Sequence, residues 1–484
     1  MKFDIPLLIV FMNNADNVKR IMNKIFLIRI RSIISGIISL IILFNISTIE
    51  AKVYFVSPSG DDASPGSRNN PWLTIQRAAN IVNAGDTVYI MSGTYCEHII
   101  PKYSGKQGNS IVYSAYPDHN PIILGEGEIT PGRIGSSVVD KSCKGQFEID
   151  NKSWIVVTGL TIMNSTSAGI YVINSSHIIL QNNHTYNTFD SGIGVLRSND
   201  IIVDNNHIEL ACTGGSTAAQ ECLTISITDN FIVSNNHVHH GWMEGIDAKN
   251  GSSNGKIFGN HVHNQLRLGI YVDAWNKHTY NIDVFQNLVH DNYANGFAVA
   301  AERAGLVENV RIFNNISYHN SGMGITIAGW NGGWDHPMKN IQVINNTFCN
   351  NGWGHRTEYA GGIEIANPQA EDVVIRNNIC SQNTTFQMVV REGVPEGHLT
   401  IDHNLIDGFK GYDDEIYGDN AVVGEALFVH KFDRNSAKPA DFHLLPNSPA
   451  IDEGSSEGMP PEDFDGTSRP IGSGCDIGAF EYVE

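Results

Sequence analysis

Four side chains that could do chemistry recur at matching positions in two neighbouring copies of a short sequence pattern. Asp247 and Lys249 stand two residues apart in one copy, and Tyr271 and Asp273 take the same two places in the next. Carboxylates can bind a divalent cation or act as general acid and base, whereas a lysine can take a proton or bind an anion. Alanines fill both places one copy later, which leaves room for a ligand. We therefore predict a functional site here.

Charged and aromatic residues nearby would complete this site. Glu244 precedes the first pair and Arg267 precedes the second, and we predict a catalytic role for Arg267 beside Lys249, Asp247 and Asp273. Flat aromatic rings on strands and long turns suit sugar binding. The predicted substrate-binding residues are Tyr271, Trp242, Trp275, Glu302, Trp330, Trp353 and Arg356. The alternative interpretation is a solvated ladder in which Lys249 only pairs with Asp273.

A repeat of roughly 24 to 32 residues would position these side chains. It runs from about Trp154 to Asp407, and each copy reads apolar strand, Asn-Asn, short strand and Gly-Ile-x-Val. Three short strands rich in Ile and Val with three turns per copy predict one coil of an all-β parallel β-helix, whose core forms when coils stack. We expect Gly159 and one asparagine per copy to lie above one another, the asparagines being Asn183, Asn206, Asn236, Asn260, Asn287, Asn315, Asn346, Asn378 and Asn404.

Alternation along the Gly-Ile-x-Val strand predicts which residues face outward. The first and third residues after the glycine are mostly Ile, Val or Phe and should face the core, whereas the second and fourth should face solvent. Successive coils lie about 4.8 Å apart. The pairs Asp247 with Lys249 and Tyr271 with Asp273 should therefore form one outward cluster.

Composition and the N-terminal residues restrict location and partners. The formal net charge of -20 argues against a nucleic-acid partner. Lys24 and two arginines precede an apolar run and Ala51 ends a plausible cleavage site, so residues 1–51 read as a secretory signal, with Met22 as an alternative start. We expect a secreted or cell-surface monomer without an organic cofactor, touching a membrane only if that segment stays uncleaved.

Segments near both ends of the chain resemble a known group of proteins. Residues 53–62, VYFVSPSGDD, and residues 71–79, PWLTIQRAA, are similar to the start of secreted proteins of the pectate-lyase-like right-handed β-helix superfamily. Residues 476–482, DIGAFEY, resemble their closing segment. The resemblance implies a right-handed single-stranded β-helix over residues 86–410, with a strand and capping helix in residues 52–85 and a closing segment in residues 411–484.

The strand around Lys249 also resembles lyase motifs. Glu244 followed five residues later by Lys249 is similar to the strand of the chondroitinase B and alginate lyase family that carries a calcium-binding glutamate and a lysine base. The resemblance implies that Glu244 binds Ca²⁺ and that Lys249 is the base. The nearby carboxylates Asp247 and Asp273 could supply further calcium ligands. That family has an arginine where this chain has Asp273, and a related pattern has a later lysine where this chain has Ala298.

Three functions remain open at this point. A lyase that cleaves a uronic-acid-containing polysaccharide by β-elimination is favoured, although three nearby carboxylates would raise the pKa of Lys249 unless calcium offsets them. A glycoside hydrolase could use carboxyls on adjacent coils as its acid and base. A surface protein that binds glycans without chemistry is the third possibility.

Two further sets of residues have a regular spacing. His184, His207, His237 and His261 make one column, and a second is formed by His239, His263 and His290. Such columns could bind a transition metal, but we expect them to serve packing. Cys212 and Cys222 form the only close cysteine pair, for which a loop-closing disulfide is plausible.

Overall fold

The computed structural model describes residues 51–125, 144–218, 220–330, 332–354 and 360–484. They form the predicted all-β, right-handed parallel β-helix. Residues 51–484 make one compact unit. The predicted signal, residues 1–51, lies outside the described residues except for Ala51. Within the described ranges, no helix is both long and apolar enough to span a membrane.

In the described residues the coils form three parallel sheets, two of 13 strands and one of 10, and most coils contribute one strand to each. Sheet 1 contains the strands Val53–Val56, Thr87–Ile90, Ile111–Ala115, Ser153–Thr158, Ser176–Gln181, Asn199–Asp204, Asp229–Ser234, Ser253–Phe258, Thr279–Phe285, Val307–Phe313, Met338–Ile344, Ala370–Arg376 and Leu399–Asp402. Sheet 2 contains Gly93–Tyr95, Pro121–Leu124, Thr161–Met163, His184–Tyr186, His207–Glu209, His237–His239, His261–His263, Leu288–His290, Ile316–Tyr318, Thr347–Cys349, Ile379–Ser381, Leu405–Asp407 and Val422–Val423. Sheet 3 contains Gly145–Asp150, Ala168–Ile173, Ile193–Leu196, Leu223–Ser226, Ile246–Lys249, Ile270–Ala274, Phe297–Ala301, Met323–Gly329, Gly361–Ile365 and Phe386–Val390.

The predicted N-terminal helix is the five-residue segment Ile75–Ala79. The hydroxyl of Thr74 accepts a hydrogen bond from the backbone N–H of Arg77, which caps the first turn. Ile75, Ala78 and Ala79 are buried in the main core. Two short 3-10 helices, Gly215–Thr217 and Glu396–His398, lie in turns between strands.

The asparagine ladder between sheets 1 and 2 is confirmed. The side-chain oxygen of Asn206 accepts hydrogen bonds from both the backbone N–H and the side-chain Nδ2 of Asn183, each at 3.0 Å. The same bonds recur coil by coil to Asn404. One position is corrected, because Leu160 rather than Gly159 donates its backbone N–H to Asn183. Gly159 takes the preceding place, where the backbone has a positive φ.

A second buried ladder lies between sheets 2 and 3 and was not predicted. Its side chains bond from coil to coil in the same manner, for example from Asn292 Nδ2 to Asn320 Oδ1 at 2.8 Å. Gln265 begins this ladder and Asn383 ends it. Both ladders fix the coil register, because a one-residue slip would leave buried amides without partners.

The C-terminal residues fold back along sheet 2. The strands Phe428–His430 and Asp441–Leu444 pair antiparallel and pack against Ile316 and Leu405 of that sheet. The disulfide between Cys212 and Cys222 is absent, since both are buried free thiols. Burial raises the pKa of the Cys212 thiol, so it stays protonated in the core.

Candidate active site

A cleft of about 390 Å³ lies on the outer face of sheet 3 and brings most of the predicted site together. Eight predicted residues line it, namely Lys249, Asp247, Asp273, Arg267, Tyr271, Trp275, Glu302 and Glu244. Gln220, Glu221, Ser226 and Asn250 complete the lining.

The register of sheet 3 explains why these residues meet. Asp247 is the parallel partner of Tyr271, and Lys249 is the partner of Ser226. Ile246 and Ala248 alternate with Asp247 and Lys249 along the strand, point into the core and are fully buried. The predicted alternation is therefore confirmed, but the expected solvent exposure is wrong. The outward carboxylates are covered by the walls of the cleft, and the exposed fraction is only 2% for Asp247 and 4% for Asp273.

Lys249 is held by carboxylates on its own and the preceding coil. Its ammonium group donates a hydrogen bond to Glu221 and lies 3.6 Å from Asp247 Oδ2. Burial opposes the charge, but Asp247, Glu221 and Asp273 together raise the pKa of Lys249 above its usual value. Lys249 is thus a half-buried cation, with 17% of its side chain exposed, and its ion pairs run to Glu221 and Asp247 instead of to Asp273 as in the ladder interpretation.

Four side-chain oxygens in the cleft are buried without a hydrogen-bond partner among the described residues. They are Glu244 Oε2, Asp247 Oδ1, Asn250 Oδ1 and Asp273 Oδ1. Burial and the neighbouring Glu221 raise the pKa of Asp247, and burial likewise raises the pKa of Asp273. Buried oxygens without partners are costly, so this arrangement suits a bound cation.

The other side chains of the cleft form its rim and wall. Arg267 Nη1 donates to Glu244 Oε1 at 3.0 Å, while 54% of the Arg267 side chain stays exposed. The Tyr271 hydroxyl donates to Glu302 Oε1 at 2.7 Å. Burial raises the pKa of Tyr271 well above its usual value, so its phenol remains protonated. Arg267 is the charged group best placed to meet a ligand that enters from solvent.

Three other predicted substrate-binding residues, Trp242, Trp330 and Trp353, do not line this cleft. Trp242 is partly buried against the main core, and Trp330 packs against the ring of Tyr271 at a centroid distance of 5.5 Å. Trp353 donates its indole N–H to the backbone oxygen of His319 and lines a separate cavity beside the C-terminal segment. Arg356 lies outside the described residues. Their roles in binding stay predictions.

Glu221 is the site residue that sequence reasoning missed. It lies in the long turn between His207–Glu209 and Leu223–Ser226, where the repeat is interrupted. The signal was present, because Glu221 precedes Leu223 by two residues just as Glu244 precedes Ile246, and Leu223 pairs with Ile246. The two glutamates therefore occupy the same position in neighbouring coils.

Comparison with known proteins identifies the group to which this architecture belongs. The family described as Pel9A-like, right handed beta helix region, matches residues 54–214, and a second right handed beta helix region matches residues 216–348. The chain belongs to the pectate-lyase-like right-handed β-helix superfamily. The β-helix of this superfamily is a fold found in carbohydrate-active proteins.

Two curated superfamily relatives and two solved structures are similar to this chain. The uncharacterized protein YwoF of Bacillus subtilis (strain 168) is 25% identical over 459 residues, which cover 82% of this chain and 91% of YwoF. Pectate lyase PEL9 of Emericella nidulans is 31% identical over 129 residues, covering 26% of this chain and 30% of PEL9.

Both solved structures share the fold at low sequence identity. The crystal structure of pectate lyase Pel9A superposes with a TM-score of 0.53 at 17% identity, covering 90% of this chain and 98% of Pel9A. XylC in complex with xylose gives a TM-score of 0.55 at 13% identity, covering 89% and 98%.

Proposed function

We propose that this protein is a calcium-dependent polysaccharide lyase that cleaves a uronic-acid-containing glycan by β-elimination. The main supporting observation is that one cleft holds four buried oxygens, beside Lys249 and Arg267, that have no hydrogen-bond partner among the residues the structure describes. One relative, the pectate lyase PEL9, which is 31% identical over 129 residues, agrees with this class of substrate.

The oxygen types of the proposed donor set match those that Ca²⁺ binds. Calcium prefers carboxylate and amide oxygens. The four cleft oxygens that have no hydrogen-bond partner among the described residues are all of these two types. The cleft holds two basic side chains, Lys249 and Arg267, against five acidic ones, which are Glu221, Glu244, Asp247, Asp273 and Glu302. We propose Glu244, Asp247 and Asp273 as the calcium ligands, with the amide oxygen of Asn250 beside them.

β-Elimination needs a base for the C5 proton and positive charge beside the uronate carboxylate. Bound Ca²⁺ would supply part of that charge and offset the carboxylates that hold the Lys249 proton. Lys249 then acts as the base that takes the C5 proton. The electron pair left on C5 forms the C4=C5 double bond as the C4–O bond breaks, and the departing oxygen takes a proton from water. The exposed guanidinium of Arg267 binds a carboxylate of the polymer, because it lies at the rim and is only singly engaged by Glu244. Tyr271 and Trp275 form the wall against which a sugar ring rests.

Location and assembly follow from this proposal and from the N-terminal sequence. A polysaccharide substrate lies outside the cell, in agreement with the secretory signal that residues 1–51 predict. We propose a secreted or cell-surface monomer that takes no organic cofactor and no nucleic-acid partner.

A glycoside hydrolase is the second candidate, favoured by the raised pKa of Asp247 and Asp273. Burial raises both pKa values, so one carboxyl could stay protonated and act as a general acid while another acts as base or nucleophile. Lys249 would then remain a cation that positions the substrate.

One experiment separates the two candidates. Residues 52–484 are incubated with uronate polymers and with neutral glycans, in EDTA and after Ca²⁺ is restored. Ultraviolet absorbance of an unsaturated uronate product that requires Ca²⁺ supports the lyase. New reducing ends without that absorbance support the hydrolase, and absence of both products from every polymer contradicts both enzymes.

A further inference from the structure

Seven histidines form two columns on the outer face of sheet 2, which we call the histidine face. The first column is His184, His207, His237 and His261, and the second is His239, His263 and His290. Parallel strand pairing sets them in register, with His207 opposite His237 and His239 opposite His263. Rings within a column are stacked at centroid distances of 4.3 to 5.1 Å. The residues between the two columns point inward and are buried, as Val238 and Val262 show.

Packing alone does not explain how the rings are aimed. Three of the four first-column histidines form a hydrogen bond through Nε2 to the Nε2 of the second-column histidine one coil later, and a bound ion would replace the proton that the two nitrogens share. The distances are 2.6 Å for His207 to His239, 2.8 Å for His237 to His263 and 2.7 Å for His261 to His290. His184 follows the same diagonal, since its Nε2 lies 3.7 Å from Glu209 Oε2. That Nε2 is buried and has no hydrogen-bond partner among the described residues.

Neighbouring oxygens orient two of the three second-column histidines, whereas His239 Nδ1 lies 2.6 Å from His240 Nδ1. His263 Nδ1 lies 2.5 Å from Asn264 Oδ1, and His290 Nδ1 lies 2.6 Å from Asp291 Oδ2. Both oxygens are acceptors, so Nδ1 carries the ring proton and the Nε2 lone pair faces the first column. Metal-ligating histidines are oriented in this way, with the second nitrogen donating to a carboxylate or a carbonyl oxygen.

We propose that the histidine face binds divalent transition-metal ions that accept nitrogen ligands at right angles, as Cu²⁺ and Ni²⁺ do. A metal–imidazole bond is about 2.0–2.1 Å, so two nitrogens 2.6–2.8 Å apart subtend about 80–90° at a shared ion. Tetrahedral ligands would lie about 3.3 Å apart. Square-planar and tetragonal nitrogen sites are typical of Cu²⁺ and Ni²⁺.

The arrangement sets the number of ions. Three groups of side chains place their ligand atoms within 4.8 Å of one another, and two of the groups share no residue. One is His184, His207 and Glu209, and the other is His237, His261 and His263. The third group, His207, His237 and His239, overlaps both. The two groups without a shared residue can be occupied at the same time, and one of them contains a diagonal nitrogen pair, His237 to His263. We therefore expect two ions per chain.

This site is independent of the proposed lyase cleft. The histidine face lies on sheet 2, whereas the cleft lies on the outer face of sheet 3, and the two share no lining residue. Its ligands are imidazoles, whereas the cleft offers oxygens. Failure of one proposal would leave the other standing.

The test is a calorimetric titration of NiCl₂ into residues 52–484 freed of any affinity tag and of metal. We expect two ions per chain. His207 and His237 together belong to all three groups, so the double variant H207N/H237N should bind none, and each single variant should bind one. Each variant is first compared with the parent by circular dichroism and by its melting temperature in EDTA. If the double variant fails to fold, the two single variants carry the test.

The control variant is H177N/H278N. His177 and His278 pair with Asp200 and Glu308 away from the histidine face, and asparagine tolerates the positive φ of residue 177. This variant should still bind two ions, and H207N/H237N should keep any calcium-dependent activity of the cleft. Ni²⁺ binding that is absent from the parent, or that the variants at His207 and His237 leave unchanged, would overturn the proposal.

Discussion

Lys249 lies with its ammonium nitrogen 3.6 Å from Asp247 Oδ2, on the outer face of sheet 3. Both residues belong to one strand and point away from the core, yet only 2% of the Asp247 side chain is exposed. A buried acid beside a half-buried cation costs desolvation energy, and such pairs concentrate at functional sites. The relationship therefore marks the cleft as the part of the surface where function is expected.

Replacing Glu221 by glutamine should shift the pH dependence of activity toward lower pH. Glu221 is one of the carboxylates that raise the pKa of Lys249, so its neutral replacement lowers that pKa. The free amine, which is the active form of a base, then exists at lower pH, and the rising limb of the kcat/KM profile moves with it. The control is E308Q, which removes a carboxylate from sheet 1 and should leave the profile in place. An unchanged profile for E221Q would contradict the assignment of Lys249 as base.

Replacing Arg267 by alanine should raise KM for the polymer by about 10- to 100-fold and change kcat little. A charged hydrogen bond to a substrate carboxylate contributes about 1.5–3 kcal/mol, and its loss affects binding of ground state and transition state alike. The matched control is R311A, since Arg311 is similarly exposed at 52% and is also paired with a carboxylate, but lies on sheet 1. Equal KM values for R267A and the parent would contradict a role for Arg267 in binding the substrate.

Replacing Asn287 by alanine should lower the free energy of unfolding by about 3 kcal/mol. Its buried amide accepts from the backbone N–H of Asn260 and donates to the backbone oxygen of Ile257, and both partners would be left unsatisfied. The control N199A removes an exposed asparagine and should cost within about 0.5 kcal/mol. Urea unfolding followed by circular dichroism measures both, and equal costs would contradict the stabilising role of the ladder.

Stability of the metal-free protein should fall as the pH drops below about 6.5. Burial, together with neighbouring imidazoles, lowers the pKa of His239 and His261 to about 3 and that of His263 to about 4. The unfolded chain has ordinary histidines with a pKa of about 6.5, so between these values it binds more protons than the folded chain and is favoured by acid. Melting temperatures in EDTA from pH 7 to about pH 4 measure this.

The variant H239N/H261N isolates the contribution of the histidines. It should lose less stability on acidification than the parent, whereas H177N/H278N should follow the parent. The raised pKa values of Asp247 and Asp273 stabilise the folded protein as the pH falls, opposite to the effect of the histidines. This contribution is the same in the parent and in both variants, so it cancels in the comparison. Identical pH dependence in H239N/H261N and the parent would contradict the account.

The repeat let the sequence predict the coil stack and the pairing of Asp247 with Tyr271, because a parallel coil places equivalent residues side by side. The same periodicity could have located Glu221, since it matches Glu244 across one coil. The long turn before Leu223 interrupts the repeat, however, so counting residues forward from the previous coil does not locate Glu221. Only counting back from Leu223 does.

Features outside the repeat could not be predicted in this way. Trp242 and Trp353 lie in turns whose length varies between coils, so no register fixes where their rings point. Trp242 packs on the core, and Trp353 meets the C-terminal segment. Burial of the outward Asp273 has the same origin, because the walls of the cleft come from turns and not from the strand itself.

The central claim is that the cleft around Lys249 performs a calcium-dependent β-elimination. Its most direct test is the rate at which the ultraviolet absorbance of unsaturated uronate rises when K249A, the surface control K256A and the parent act on the best uronate polymer, each with Ca²⁺ and with EDTA. The account predicts that K249A loses about 10²–10⁴-fold in kcat/KM, that K256A matches the parent, and that EDTA abolishes the activity of both. Full activity of K249A, or of the parent in EDTA, would contradict it.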